Sequence, residues 1–166
     1  MPPEAEPVSK PDSRSEAWAP VKARFGVMLA GVPVLFPGGV ITEFVVQASV
    51  YPVPRAPQRL LGLMQVRGQP VPVFDAALHP PRELPLLRRR DVLVVGTGME
   101  AGALAIESAP RQLALIPLET PPAVPESCFA EAVEGAYYDP SEPQRVWWQL
   151  APSRLFTILA RRVDGQ

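Results

Sequence analysis

The sequence predicts an all-β fold, a barrel or sandwich of about ten short strands. Three observations predict it. Proline supplies 23 of the 166 residues and is spread through the whole length; its ring removes a backbone donor and clashes with the preceding turn, which argues against long helices. Short apolar runs recur at close spacing, separated by Gly-, Pro- and Asp-containing turn signals. Hydrophobic residues make up 47% of the chain, enough to rule out wholesale disorder. A domain of this size buries about 70% of its unfolded surface and needs neither disulfide nor metal to stand.

The elements follow in order. Residues 1–22 mix proline, serine and charge without periodicity and are expected to be a disordered tail, with Trp18 the first residue to touch the fold. Phe25 to Gly31 and Val32 to Phe36 read as strand, turn at Ala30-Gly31 and strand, with Phe25, Val27 and Leu29 on one face. Gly38-Gly39 turns the chain into a third strand, Val40 to Val46. Tyr51 to Pro57 holds three prolines and is expected to run extended over the surface. Gln58 to Leu61 is expected to make one helical turn. Gly62 to Val66 and Gln69 to Phe74 form a hairpin turned at Arg67-Gly68. Pro70 and Pro72 require that strand to lie at an edge, or to aim those positions away from a ladder.

His79 to Arg90, polar with two prolines and the run Arg88-Arg89-Arg90, reads as a linker between a first subdomain (about 24–80) and a second (about 91–156). Asp91 to Val95 and Ala101 to Ile106 pair about the turn at Thr97 to Glu100. Leu113 to Ile116 is a strand closed by Pro117. Ala132 to Tyr138 and Arg145 to Leu150 pair about Asp139-Pro-Ser-Glu-Pro143. Ser153 to Arg162 carries Leu155, Phe156, Ile158 and Leu159 at helical spacing, with Ser153 as cap and two arginines in the last turn.

Several function classes fall away. The net charge of −1 offers nucleic acid or an anionic membrane no electrostatic attraction. The 18 uncharged residues from Phe25 to Thr42 are interrupted by Gly26, Gly31, Pro33, Pro37, Gly38 and Gly39, so strands and turns explain them better than a membrane span. The acidic, proline-rich start lacks the apolar stretch of a signal peptide. Cys128 stands alone, which excludes an internal disulfide and suits a reducing cytoplasm.

Candidate chemistry is equally sparse. His79 is the only histidine and lies between a leucine and two prolines; no spacing pattern supplies a zinc site around it. Cys128 reads as a small buried side chain. Gly96-Thr-Gly98-Met-Glu-Ala-Gly102 resembles half of a dinucleotide fingerprint, but Pro110 follows too soon for the helix that must meet the pyrophosphate. The triple arginine has no aromatic platform beside it, as a single-strand binder requires. In Trp147-Trp148, strand alternation puts one ring toward the core and one outward, where it would suit a partner contact.

One stretch stands out. Tyr51 to Leu78 reads YPVPRAPQRLLGLMQVRGQPVPVFDAAL and resembles the signature of the CheW-like family. That family has a V-P-x-A-P approach, a glycine, an N-L-R-G turn and an I-P-V-x-D-L strand; Val53 to Pro57, Gly62, Val66-Arg67-Gly68 and Val71 to Asp75 match it. Ile41-Thr-Glu-Phe44 resembles its V-x-E-I strand, and the likeness covers about 24–160. The resemblance implies two interlocked SH3-like five-stranded barrels with a groove between them, no catalysis, no cofactor and no metal. It implies an adaptor of the cytoplasmic signalling array, holding the regulatory domain of a CheA-type histidine kinase on one surface and the tip of a chemoreceptor on another. By position, Glu43, Gly62 and Arg67 match partner-contact positions, Val66 and Gly68 flank the arginine, and Val92 matches an apolar kinase-contact position. Arg67 also sits at a hairpin tip, where its forked guanidinium can reach a partner's oxygens or simply pair with Glu43. Asp75 is assigned to structure, taking backbone donors as its strand ends. Gln65 in place of asparagine, Leu150-Ala151-Pro152 in place of an acidic strand end, and the unmatched Leu113 to Glu131 mark a divergent member, fitting a pilus-linked or other alternative chemosensory pathway. The other readings are a module of the same fold serving a non-chemotactic kinase or motility component, and a small-barrel nucleic-acid binder.

Overall fold

A computed structural model describes residues 21–78 and 88–161, with side chains from Arg24 onward. The expected tail, Trp18, His79 and the middle of the expected linker lie outside the described residues. The described residues form ten strands: β1 (Val21–Leu29), β2 (Val32–Leu35), β3 (Thr42–Val50), β4 (Leu60–Val66), β5 (Gln69–Phe74), β6 (Arg88–Val95), β7 (Gly102–Ala105), β8 (Arg111–Pro117), β9 (Val133–Asp139) and β10 (Glu142–Leu150), followed by the helix α1 (Pro152–Ala160). Arg88 to Arg90, expected in a linker, are the first residues of β6 and pair with Val50, Ser49 and Ala48.

The strands form two sheets. One is a closed barrel in the order β1-β2-β10-β9-β8, and the other runs β3-β6-β7-β5-β4. Each sheet takes strands from both halves of the sequence, so the division at 80–91 is not the division between sheets. The prolines of β5 are accommodated by its position. Leu63 gives its backbone groups to Tyr51, so alternation makes Leu63–Pro72 and Gln65–Pro70 pairs without mutual hydrogen bonds. The missing N–H groups therefore face the β7 side, where pairing starts only at Val73.

Three apolar clusters explain the long hydrophobic runs. Leu35, Leu113, Leu115 and Trp147 fill the closed barrel, while Val50, Met64, Val73, Val92 and Val94 fill the inside of the second sheet. Between the sheets lies the largest cluster, including Leu29, Val34, Leu93, Val95, Leu104, Trp148, Leu155 and Leu159. Strands buried on both faces lose the polar half of their alternation: Val92 to Val95 are all buried, with even positions inside the sheet and odd ones between the sheets. The same holds for the tryptophans. Both are buried, Trp147 beneath Arg111, whose guanidinium carbon is 5.5 Å from its ring, and Trp148 between the sheets; neither faces outward as expected.

Local departures have local causes. Phe25 shares a face with Val27 and Leu29 but is 59% exposed, because the cluster beneath that face reaches only to Val27. Gln58-Arg59 forms a single turn closed by the Leu60 N–H on the Pro57 carbonyl at 3.0 Å, and Leu60 and Leu61 already belong to β4. The helix starts one residue early, at Pro152, whose fixed φ suits the first turn. Ser153 is thus inside α1 and not its cap, no side chain caps it, and Arg161 follows its last turn. Phe156 brings α1 onto the second sheet, 5.9 Å from the Phe74 ring and directly over Gly102, where a methyl group would lie 2.5 Å from the ring.

Candidate functional site

The β4–β5 hairpin turns on two residues in the left-handed region, Arg67 at φ +49° and Gly68 at φ +79°. Positive φ at both centres makes the tight turn whose twist matches the flanking strands. Ala30 (φ +50°) and Gly31 (φ +79°) turn β1 into β2 in the same way. A side chain at the first centre costs about 1 kcal/mol relative to glycine, and the turn accepts that cost with an arginine. The Arg67 side chain is 77% exposed and its Nη1 lies 3.2 Å from Oε2 of Glu43, itself 42% exposed. A pair this open to water contributes about 0–1 kcal/mol; it orders the surface more than it stabilises the fold.

This ion pair stands at one side of a groove of about 490 Å³ at the end of the second sheet. Val71 and Val94 form its floor, Val66 and Ile41 its sides, and Thr97 and Gly98 close it across from the hairpin. One apolar side chain of the lining stands without cover: Ile41 is 60% exposed. No aromatic residue lines it, and among the described residues no group of His, Cys, Asp and Glu could hold a metal. No helix among them is long and apolar enough to cross a membrane.

The CheW-like domain family matches residues 25–157. This chain belongs to the CheW-like domain family. No curated protein matches it. Among solved structures, it resembles the scaffolding protein TtCheW from Thermoanaerobacter tengcongensis, with a TM-score of 0.54 at 17% identity, covering 80% of this chain and 89% of that one. That likeness shows the shared fold of two five-stranded sheets.

In this CheW-like domain the six positions singled out by the motif separate into two sets. Glu43, Val66 and Arg67 stand together at the groove, Val66 half-buried, and Gly68 is exposed in the turn beside them. Val92 does not: it is 0% exposed inside the second sheet, so its side chain cannot meet a partner as expected. Gly62 is buried too, at φ +151°, and a Cβ there would lie 2.1 Å from the Tyr51 carbonyl oxygen. Its part is to let β4 pass beneath the Tyr51–Leu63 bridge. The rim residue Ile41 escaped the sequence reading as a site residue; an isolated apolar residue beside a turn carries no pattern, and only the folded turn at Gly96 to Gly98 brings it to the groove.

The remaining polar groups are structural. Asp75 accepts the Ala77 N–H at 2.8 Å, ending β5 as expected, and Arg59 holds the carbonyls of Ala77 and Leu78 beyond it. Asp139, 8% exposed, accepts the hydroxyl and N–H of Ser141 at 2.6 and 2.8 Å and the Ala114 N–H at 3.0 Å. Those hydrogen bonds, the Ser141 hydroxyl first, hold its carboxyl below the usual range. Burial pushes the Cys128 thiol up, and it donates to the Ala76 carbonyl at 3.3 Å.

Proposed function

We propose that this CheW-like domain is a non-catalytic cytoplasmic adaptor that joins the tip of a chemoreceptor to the regulatory domain of a CheA-type histidine kinase. The observation that carries the reading is the gathering of Glu43, Val66 and Arg67 on the edge of one groove. Such a surface offers what protein partners use: an apolar floor to cover, an exposed apolar rim, and a forked cation with a carboxylate beside it to set orientation. A nucleic-acid reading finds no support there, since the lining pairs one arginine with one glutamate and offers no ring for a base to stack on.

Calorimetric titration with the regulatory domain of a CheA-type kinase from the same organism tests the proposal. Binding near micromolar strength, about −8 kcal/mol, is the expected result. Heat of dilution alone would end the kinase reading and transfer the groove to a non-chemotactic kinase or motility component.

A further inference from the structure

The two sheets differ in one respect: the first closes, and the second is joined at a single point. Its edge strands β3 and β4 meet only at Tyr51 and Leu63, each N–H donating to the other's carbonyl at 2.8 Å. Continued pairing would set Ser49 opposite Gln65, yet no bridge forms between them. The cause lies in β3. Between Val45 and Ala48 its register against β6 slips by one residue. Gln47 takes φ +52° there, and the Asp91 carboxylate accepts its backbone N–H at 2.9 Å and its side-chain amide at 3.3 Å. A bulge fixed in this way bends its strand and breaks the local ladder. What remains is a seam between β3 and β4, spanned at the surface by the Glu43–Arg67 ion pair.

The seam has backbone, apolar and ionic partners to offer. Leu63 directs its N–H and C=O at Tyr51, and strand alternation turns those of Gln65 to the same side, where no strand among the described residues pairs with them. On the other wall the Ile41 carbonyl accepts the Gly96 N–H at 2.8 Å, toward β6, so alternation turns the backbone groups of Thr42 toward the seam. Soluble proteins cover or blunt such edges, because an open edge is a template for another strand. Val71 and Val94 lie beneath, and Arg67 uses one nitrogen on Glu43 while the rest of its five-donor fork faces water.

We propose that this seam is a strand-addition site. Its occupant is an extended segment of the kinase regulatory domain that pairs its backbone with Gln65 and Thr42, covers Val71 and Val94 with an apolar side chain, and gives a carboxylate to Arg67. The partner is taken from the function proposed above; the mode of docking is the new element.

Proline substitution separates this from an ordinary side-chain contact. Gln65→Pro deletes an N–H that no described residue uses, whereas Gln65→Ala deletes the side chain and keeps it. Thr42→Pro and Thr42→Ala make the same comparison on the opposite wall and serve if Gln65→Pro unfolds. Titrated against the regulatory domain, the proline variants should bind at least ~10-fold more weakly, the alanine variants within about threefold of wild type, all with wild-type thermal unfolding. A folded proline variant that binds as well as its alanine counterpart overturns strand addition while leaving the partner in place. Failure of the wild-type protein to bind removes the partner, and the proposed occupant with it.

Discussion

Gly62→Ala is the sharpest test of the division between fold-bearing and partner-facing positions. The added methyl would sit 2.1 Å from the Tyr51 carbonyl oxygen and 2.6 Å from its carbon, with Pro52 N at 3.0 Å, all of them backbone atoms that cannot rotate aside. The backbone at φ +151° is also one that a Cβ resists, at a cost of about 1–3 kcal/mol. Relief requires Tyr51 to move, which breaks the two hydrogen bonds of the Tyr51–Leu63 bridge, worth about 0.5–1.5 kcal/mol each. The sum is about 2–6 kcal/mol, or a fall in melting temperature of about 4–24 °C for a domain of this size. Urea unfolding followed by the fluorescence of the buried Trp147 and Trp148 reads it directly. A variant within about 1 kcal/mol of wild type that nonetheless fails to bind a partner would refute the reasoning, because Gly62 would then be a contact and not a crossing point.

Other residues yield independent predictions. Arg67→Glu should leave unfolding within about 1 kcal/mol of wild type, since the lost pair is solvent-exposed, while calorimetry should show partner affinity reduced by about 2–5 kcal/mol if the complex buries the arginine; unchanged affinity would remove Arg67 from the interface. Ala30→Asn at φ +50° should raise stability by about 0.5 kcal/mol, because asparagine tolerates the left-handed region better than alanine, and a lower melting temperature would refute it. Asp139 has a lower pKa folded than unfolded, so its stabilising contribution is present above the unfolded value, about pH 4, and is lost as pH falls through the folded one. Melting temperature against pH should therefore drop less steeply below about pH 4 in Asp139→Asn than in wild type, and parallel curves would count against that account.

Much of the fold was legible because strand punctuation is local. The Ala30-Gly31 and Arg67-Gly68 turns, the run Asp91 to Val95, the hairpin about Asp139 and the end of β5 at Asp75 each follow from a few adjacent residues. What was not legible depends on what covers a face. Alternation assigns Trp147 and Trp148 to opposite faces, correctly, but cannot say that a barrel interior waits on one side and an inter-sheet core on the other. For the same reason the sequence does not show that Val92, matched by position to a kinase contact, points inside the second sheet. The sharing of strands between sheets also has no local signal, since the parallel contact of β10 with β2 joins residues more than a hundred positions apart.

The groove illustrates how a motif can mix two kinds of constraint. Gly62 and Arg67 belong to one strand and its turn, and a family signature presents them as equals. Physically they are opposites: Gly62 is demanded by a backbone crossing inside the fold, whereas Arg67 occupies a turn position that glycine would fill at lower cost. Arg67 stands at a positive φ with 77% of its side chain in water, so folding gains little from it. The stability of the domain explains Gly62; the partner proposed above would explain Arg67. Loss of coupling should accordingly come with loss of stability at the first and without it at the second, and that difference can be measured in the same pair of unfolding and binding experiments.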